Sequence, residues 1–112
     1  MFEGLKSLGN LGEMMKKARE LQDHLKQVQE QLARKQVTAD AGGGMVQATV
    51  NGRLELIKLK IDKTRINPND TEMLEDVIIA AVHAAQTRAM EMVKEEMARM
   101  AAEMGIPPGL LP

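Results

Sequence analysis

The sequence predicts an α+β fold: a long N-terminal helix, a three-stranded antiparallel sheet and a long C-terminal helix. Three observations carry that prediction. Apolar residues recur at steps of three and four from Leu11 to Leu32, and again from Leu74 to Met104. Between those stretches, over residues 37–61, the period falls to two, the spacing of a strand. Turn-forming residues mark the joins, as Gly42-Gly43-Gly44, Asn51-Gly52, Asn67-Pro68 and Gly105 with Pro107-Pro108. The 112 residues suit one domain.

Residues 1–10 carry Gly4, Gly9 and Asn10 and read as a loose lead-in. The first helix is predicted over 11–36. Leu11, Met14, Ala18, Leu21, Leu25, Val28 and Leu32 form a heptad seam three heptads long, flanked mainly by charged and amide residues. So narrow a stripe is a pairing seam rather than the broad face of a globular helix.

The sheet is predicted over 37–61. Val37–Ala41 reads as a first strand and Met45–Val50 as a second, with Val46, Ala48 and Val50 on one face. The three glycines between them allow backbone angles that other residues resist. Asn51-Gly52 is a strong hairpin signal, because both residues tolerate positive φ. A two-residue loop there starts the third strand at Arg53, and places Val50 opposite Arg53 and Val46 opposite Ile57. Leu54 and Leu56 then fall on the face of Thr49 and Gln47, so both faces of the sheet carry apolar residues.

The second helix is predicted over 70–104. Asn69, Asp70 and Thr71 are all plausible N-caps, and Asn69 with Glu72 has capping-box spacing. Gly105 and the prolines stop the helix, leaving 105–112 as a flexible tail. Its first half presents Leu74, Val77, Ile78, Ala81, Val82 and Ala85, a face wide enough to cover a sheet. Its second half narrows to Met90, Val93, Met97, Met100 and Met104, a seam suited to pairing with the first helix.

Composition excludes several functions. Without cysteine there is no disulfide, zinc-thiolate site or thiol nucleophile, which is compatible with a reducing cytoplasm. One Phe and no Trp or Tyr leave almost nothing on which to stack single-stranded bases. The longest uncharged apolar run, Val77 to Val82, is too short for a membrane span, and Met1-Phe2-Glu3-Gly4-Leu5-Lys6 lacks the build of a signal peptide. His24 and His83 lie on different helices with no ligand-spaced partner, and read as solvated. Glu75/Asp76 and Glu95/Glu96 are adjacent, so on a helix they diverge by about 100° rather than converge. The glycine triplet lacks the Lys-Ser/Thr and the following helix of a phosphate loop. No catalytic constellation, cofactor, metal or small-molecule substrate is expected.

Charge is unevenly spread. The chain is −1 overall, but residues 1–36 and 37–66 are each +2 and residues 67–112 are −5. Lys16, Lys17, Arg19, Lys26, Arg34 and Lys35 line the first helix, while Arg53, Lys58, Lys60, Lys63 and Arg65 crowd the third strand and its exit. Taken alone, a solvated amphipathic helix accounts for the first group more readily than a phosphate-binding surface does. Arg88 continues the core stripe of the second helix, and Arg99 follows three turns later on nearly the same face. Snorkelling or ion pairing explains this pair as well as a cationic face turned to a polyanion.

Length adds a further expectation. The helices run roughly 39 Å and 50 Å at about 1.5 Å per residue, against a radius of gyration of about 13 Å for a compact domain this size. Both should overhang the sheet. A sheet of three short strands is too small to cover its own faces, so a partner sheet, and hence a homodimer, is expected.

Met14-Met15-Lys16-Lys17-Ala18 before a Gln-rich heptad helix, Gly42-Gly43-Gly44-Met45-Val46, Val50-Asn51-Gly52, Ile61-Asp62, and Met73-Leu74-Glu75-Asp76 running to Ala80-Ala81 together resemble the YbaB/EbfC family. The resemblance covers about residues 1–106, and its specificity lies in the order and spacing of the pieces. It implies a bacterial nucleoid-associated protein, cytoplasmic, that binds double-stranded DNA as a tweezer-like homodimer with sheets as its body and helices as its jaws. It implies DNA contacts at Lys16, Lys17, Arg19 and Lys26 of the first helix, with Arg88, Lys94 and Arg99 of the second. Two features depart from the family pattern: residues 53–61 are unusually apolar, with Leu54 where Gly is common, and the acidic second helix carries fewer bases than a strong DNA binder would. The rival reading is a protein-interaction or assembly module that captures a partner through the Met-rich seam around Met97 and Met100.

Overall fold

A computed structural model of the chain describes residues 2–105, with side chains from residue 9 onward. Helix α1 (Phe2–Arg34) is followed by strands β1 (Gln36–Ala41), β2 (Val46–Asn51) and β3 (Leu56–Ile61), then by helix α2 (Thr71–Glu103). The α+β class and the order of elements are as predicted. The expected lead-in is not loose: α1 is helical from Phe2, through Gly4, Gly9 and Asn10. The contacts divide the chain into two compact units at Gln31/Leu32. The first unit consists of α1 up to Gln31. Along it Leu21, Leu25 and Val28 are half-buried, whereas Leu11 and Met14 are exposed.

The second unit begins with the last turn of α1 and holds the sheet and α2. The strands are antiparallel in the order β1-β2-β3. Helix α2 packs across β1 and β2. Ala81, Ala85 and Ala89, four residues apart on one face, meet Ala39, Val46, Ala48 and Val50, and all seven are at most 2% exposed. Alanine at that spacing removes the side-chain ridge, so helix and sheet approach closely. Leu74, Val77, Ile78 and Val82 pack around this centre. Farther along, Met100 and Ala101 are buried, whereas Met90 is 51% exposed and stands off the seam predicted for it.

The turns carry the structure's main corrections. Gly42, Gly43 and Gly44 have φ of +65°, +65° and +91°, and lead straight into a strand, so the triplet is a hairpin turn. Asn51-Gly52, by contrast, is not a two-residue hairpin loop. Among the described residues neither has positive φ; Leu54 does, at +66°. Asn51 organises a wider loop. Its N–H donates to the Glu55 carbonyl (3.1 Å), its carbonyl accepts from Leu54 N–H (3.0 Å), and its Oδ1 accepts from the N–H groups of Arg53 (2.9 Å) and Glu55 (3.0 Å). Gly52 is needed for space: a Cβ there would lie 2.6 Å from the carbonyl carbon of Leu32.

The wider loop delays β3 to Leu56 and shifts the register. Val46 lies opposite Ile61, not Ile57, and a bulge falls between Thr49 and Val50. Facing sets across the sheet are therefore Asp40, Gln47 and Lys60, then Thr38, Thr49 and Lys58. These alternate with the buried residues, so the face away from α2 is polar, and the expectation of apolar residues on both faces is overturned. The uncovered apolar surface lies instead on β3, where Leu56, Ile57 and Leu59 are 46%, 50% and 37% exposed.

Helix α2 is capped by Asp70, whose carboxylate accepts from Met73 N–H at 3.1 Å, which decides among the three candidate caps. Gly105, at φ +68°, ends it with an N–H bond to Ala102 O of 3.2 Å. The predicted tail beyond it, 106–112, lies outside the described residues. No helix among the described residues is long and apolar enough to cross a membrane.

Candidate nucleic-acid interface

The predicted cations divide by element. Lys16, Lys17, Arg19 and Lys26 all stand exposed on α1. Helical geometry puts Lys16 next to Arg19, and Arg19 one heptad from Lys26 on the same face, over a rise of about 15 Å. Among the described residues none of the four is in an ion pair, although spacing would allow Glu13 to meet Lys17. Asp23 lies within the same stripe, four residues after Arg19, so the row is basic without being purely so.

Those on α2 are differently placed. Arg88 Nη1 donates to the carbonyl oxygen of Thr38 in β1 at 2.9 Å. The structure thus gives Arg88 a local task, fastening α2 to an edge strand. Arg99 Nη1 lies 3.1 Å from Glu96 Oε1, the oxygen that also pairs with Lys35 at 3.4 Å. Lys94 is exposed and has no ion pair among the described residues. Acidic residues surround these cations on α2, from Glu91 to Glu103. The four basic residues of α1 thus offer free charge to an anion, while two of the three on α2 are already engaged.

His24 and His83 are exposed and lie on different helices. No group of three or more His, Asp or Glu side chains capable of holding a metal exists among the described residues. Asn51 is the buried polar residue found there, and its bonds are all spent on its own loop.

Beyond β3, Asp62 accepts from the Thr64 hydroxyl (2.6 Å) and the Thr64 N–H (3.0 Å), with Arg65 Nε at 3.4 Å. These bonds to Thr64 hold the carboxyl below its ordinary range, with the charges of Arg65 and Lys60 adding to the effect. Arg65 Nη1 in turn donates to Gly43 O at 2.6 Å, so the β3 exit is laced to the glycine turn. Lys58 and Lys60, which the sequence marked as part of a basic cluster but which the predicted interface left out, share the polar face of the sheet.

Known proteins resemble the chain over most of its length. It is 43% identical over 98 residues to a nucleoid-associated protein of Thermoanaerobacter pseudethanolicus, covering 88% of each chain. A nucleoid-associated protein of Syntrophobacter fumaroxidans is 44% identical over 100 residues, covering 86% of this chain and 91% of the relative. A crystal structure of an uncharacterised Helicobacter pylori protein superposes with a TM-score of 0.55 at 25% identity, over 78% of this chain and 96% of that one. The YbaB/EbfC DNA-binding family, which is not a family of enzymes, matches residues 8–104, and the chain belongs to it.

Proposed function

We propose that this protein is a nucleoid-associated, cytoplasmic homodimer that binds double-stranded DNA with weak sequence preference, and that it helps organise the nucleoid or tune expression. The supporting observation is the exposed row of Lys16, Lys17, Arg19 and Lys26, without ion pairs among the described residues, in a chain of a DNA-binding family. Each phosphate neutralised by such a cation releases condensed counterions, which drives binding. These contacts position a protein on a duplex without reading bases. Relatives named as nucleoid-associated support the same setting.

The dimer is supported by β3. It is an edge strand with three exposed apolar residues, and an edge with uncovered apolar surface can pair with a second chain. The rival assembly reading loses support: Met100, one of its two key residues, is only 6% exposed.

A salt series tests the mechanism. With four to six phosphates engaged, affinity for a mixed-sequence duplex should fall by more than about tenfold for each threefold rise in salt. Reversing charge in Lys16→Glu/Lys17→Glu should weaken binding strongly while leaving the dimer intact by sedimentation. A salt-independent mobility shift, or a double variant that binds like wild type, would refute the reading.

A further inference from the structure

The polar face of the sheet is unclaimed by the helical interface, and it is basic where β3 runs. Lys58 and Lys60 are exposed on that face, two residues apart on one strand. That spacing is about 7 Å, near the separation of successive phosphates along one nucleic-acid strand. Lys63 follows at the strand exit, and none of the three lysines is in an ion pair among the described residues. Hydrogen-bonding groups that carry no charge flank them. Thr49 lies opposite Lys58 and Gln47 opposite Lys60, and the Thr49 hydroxyl sits 2.9 Å from that of Thr38.

Two carboxylates lie in the neighbourhood. Asp40 is on β1, two strands from Lys60, or about 10 Å away. Asp62 is bound to Thr64 and Arg65. An open recess of about 510 Å³ lined by Gly44, Gln47, Lys60, Ile61, Asp62 and Lys63 ends the patch, so Lys60 and Lys63 border one open space.

From this arrangement we infer that the outer face of the sheet is a second DNA-backbone contact, in which Lys58 and Lys60 neutralise neighbouring phosphates and Lys63 reinforces them at the recess. The inference rests on the DNA-binding reading above and adds a surface to it. An edge strand often carries lysine simply to discourage aggregation. Here, though, the apolar residues of β3 remain exposed on its other side, so the lysines do not blunt the strand as a whole. Their shared face, and the lack of an ion pair for any of them among the described residues, match a polyanion better.

Two measurements test it. In the first, Lys58→Gln/Lys60→Gln is compared with wild type for binding to a mixed-sequence duplex over a salt series. The slope of log affinity against log salt should become shallower by about 1.8, since each lost phosphate contact removes about 0.9. In the second, the wild-type protein is acetylated with and without the duplex, and protection of each lysine is read by mass spectrometry. Protection of Lys58 and Lys60 alongside Lys16 and Lys17 supports the inference, even if the variant folds poorly. A slope equal to wild type, or protection at Lys16 and Lys17 alone, overturns it while leaving the helical interface standing. No salt-dependent binding and no protection anywhere would overturn both.

Discussion

The two edges of the sheet have opposite fates. At β1, α2 lies overhead, Ala39 is 2% exposed, and Arg88 donates to the Thr38 carbonyl. At β3, only Ile61 reaches the core, and Leu56, Ile57 and Leu59 are left exposed. The cause is the alanine ridge on α2. Three small residues let the helix sink onto β1 and β2, and a helix about 10 Å across cannot also roof the third strand. One edge lies under a helix of its own subunit; the other is left uncovered. A free edge in a small α+β unit is therefore informative about partners only once its opposite has been seen to be closed.

A charge placed on each edge in turn should separate the two most sharply. Ala39→Glu puts an unpaired carboxylate into the tightest part of the core and should cost at least about 3 kcal/mol, enough to unfold much of the population. Leu59→Lys, on the exposed strand, should change subunit stability by no more than about 1 kcal/mol yet abolish the proposed dimer. Urea melts at low protein concentration report the first quantity, and sedimentation the second. If both variants unfold alike, the edges are not different in kind. If Leu59→Lys stays dimeric, the association surface lies elsewhere.

A smaller but still large effect is expected at Gly52. Gly52→Ala drives a methyl group into the backbone at Leu32 and should cost about 2 kcal/mol or more, because a backbone segment must move. The same position shows what the sequence can and cannot disclose. Asn-Gly predicts a turn, and a turn is there, but the dipeptide is equally compatible with two reasons for glycine. Positive φ was the local reason; close approach of Leu32, twenty residues earlier, is the actual one, and it depends on tertiary packing. The register of β3 followed the loop length, so a local misreading moved every residue of a strand. The helices were legible because their periods repeat over many residues, and the glycine triplet because three consecutive positive φ values have few other solutions. For the candidate interface, the basic row on α1 could be read directly. Arg88 could not, since its task depends on where the Thr38 carbonyl lies.

Arg88 provides the next test. Its guanidinium is exposed and bonds a neutral carbonyl, so Arg88→Ala should cost about 1 kcal/mol and loosen the closed edge rather than the core. Amide exchange should quicken along β1 while β3 keeps its wild-type rate. A uniform change across all three strands would mean that the bond does not act at the edge. Since Arg88 was also expected among the DNA contacts, the variant's affinity separates the two roles: an unchanged salt dependence assigns Arg88 to the fold.

The weakest expected effect sits just beyond the open edge, at Asp62. The hydroxyl and N–H of Thr64 hold its carboxyl below the ordinary aspartate range, with Arg65 and Lys60 adding to them. A carboxyl with a depressed folded-state value stabilises the folded chain fully above its unfolded value, and that contribution fades as pH falls through the depressed one. The side chain is partly exposed at the strand exit, so the loss should be confined to the lacing among Asp62, Thr64, Arg65 and Gly43. Carbon-detected titration of Asp62 should give a midpoint below that of an unperturbed aspartate, and Thr64→Val should raise it. In Asp62→Asn the acid-dependent loosening of this corner should disappear, while β1, tied to α2 by Arg88, should show the same pH response as wild type. An ordinary midpoint for Asp62 would mean that the β3 exit is held by Arg65 and Gly43 without help from the carboxylate.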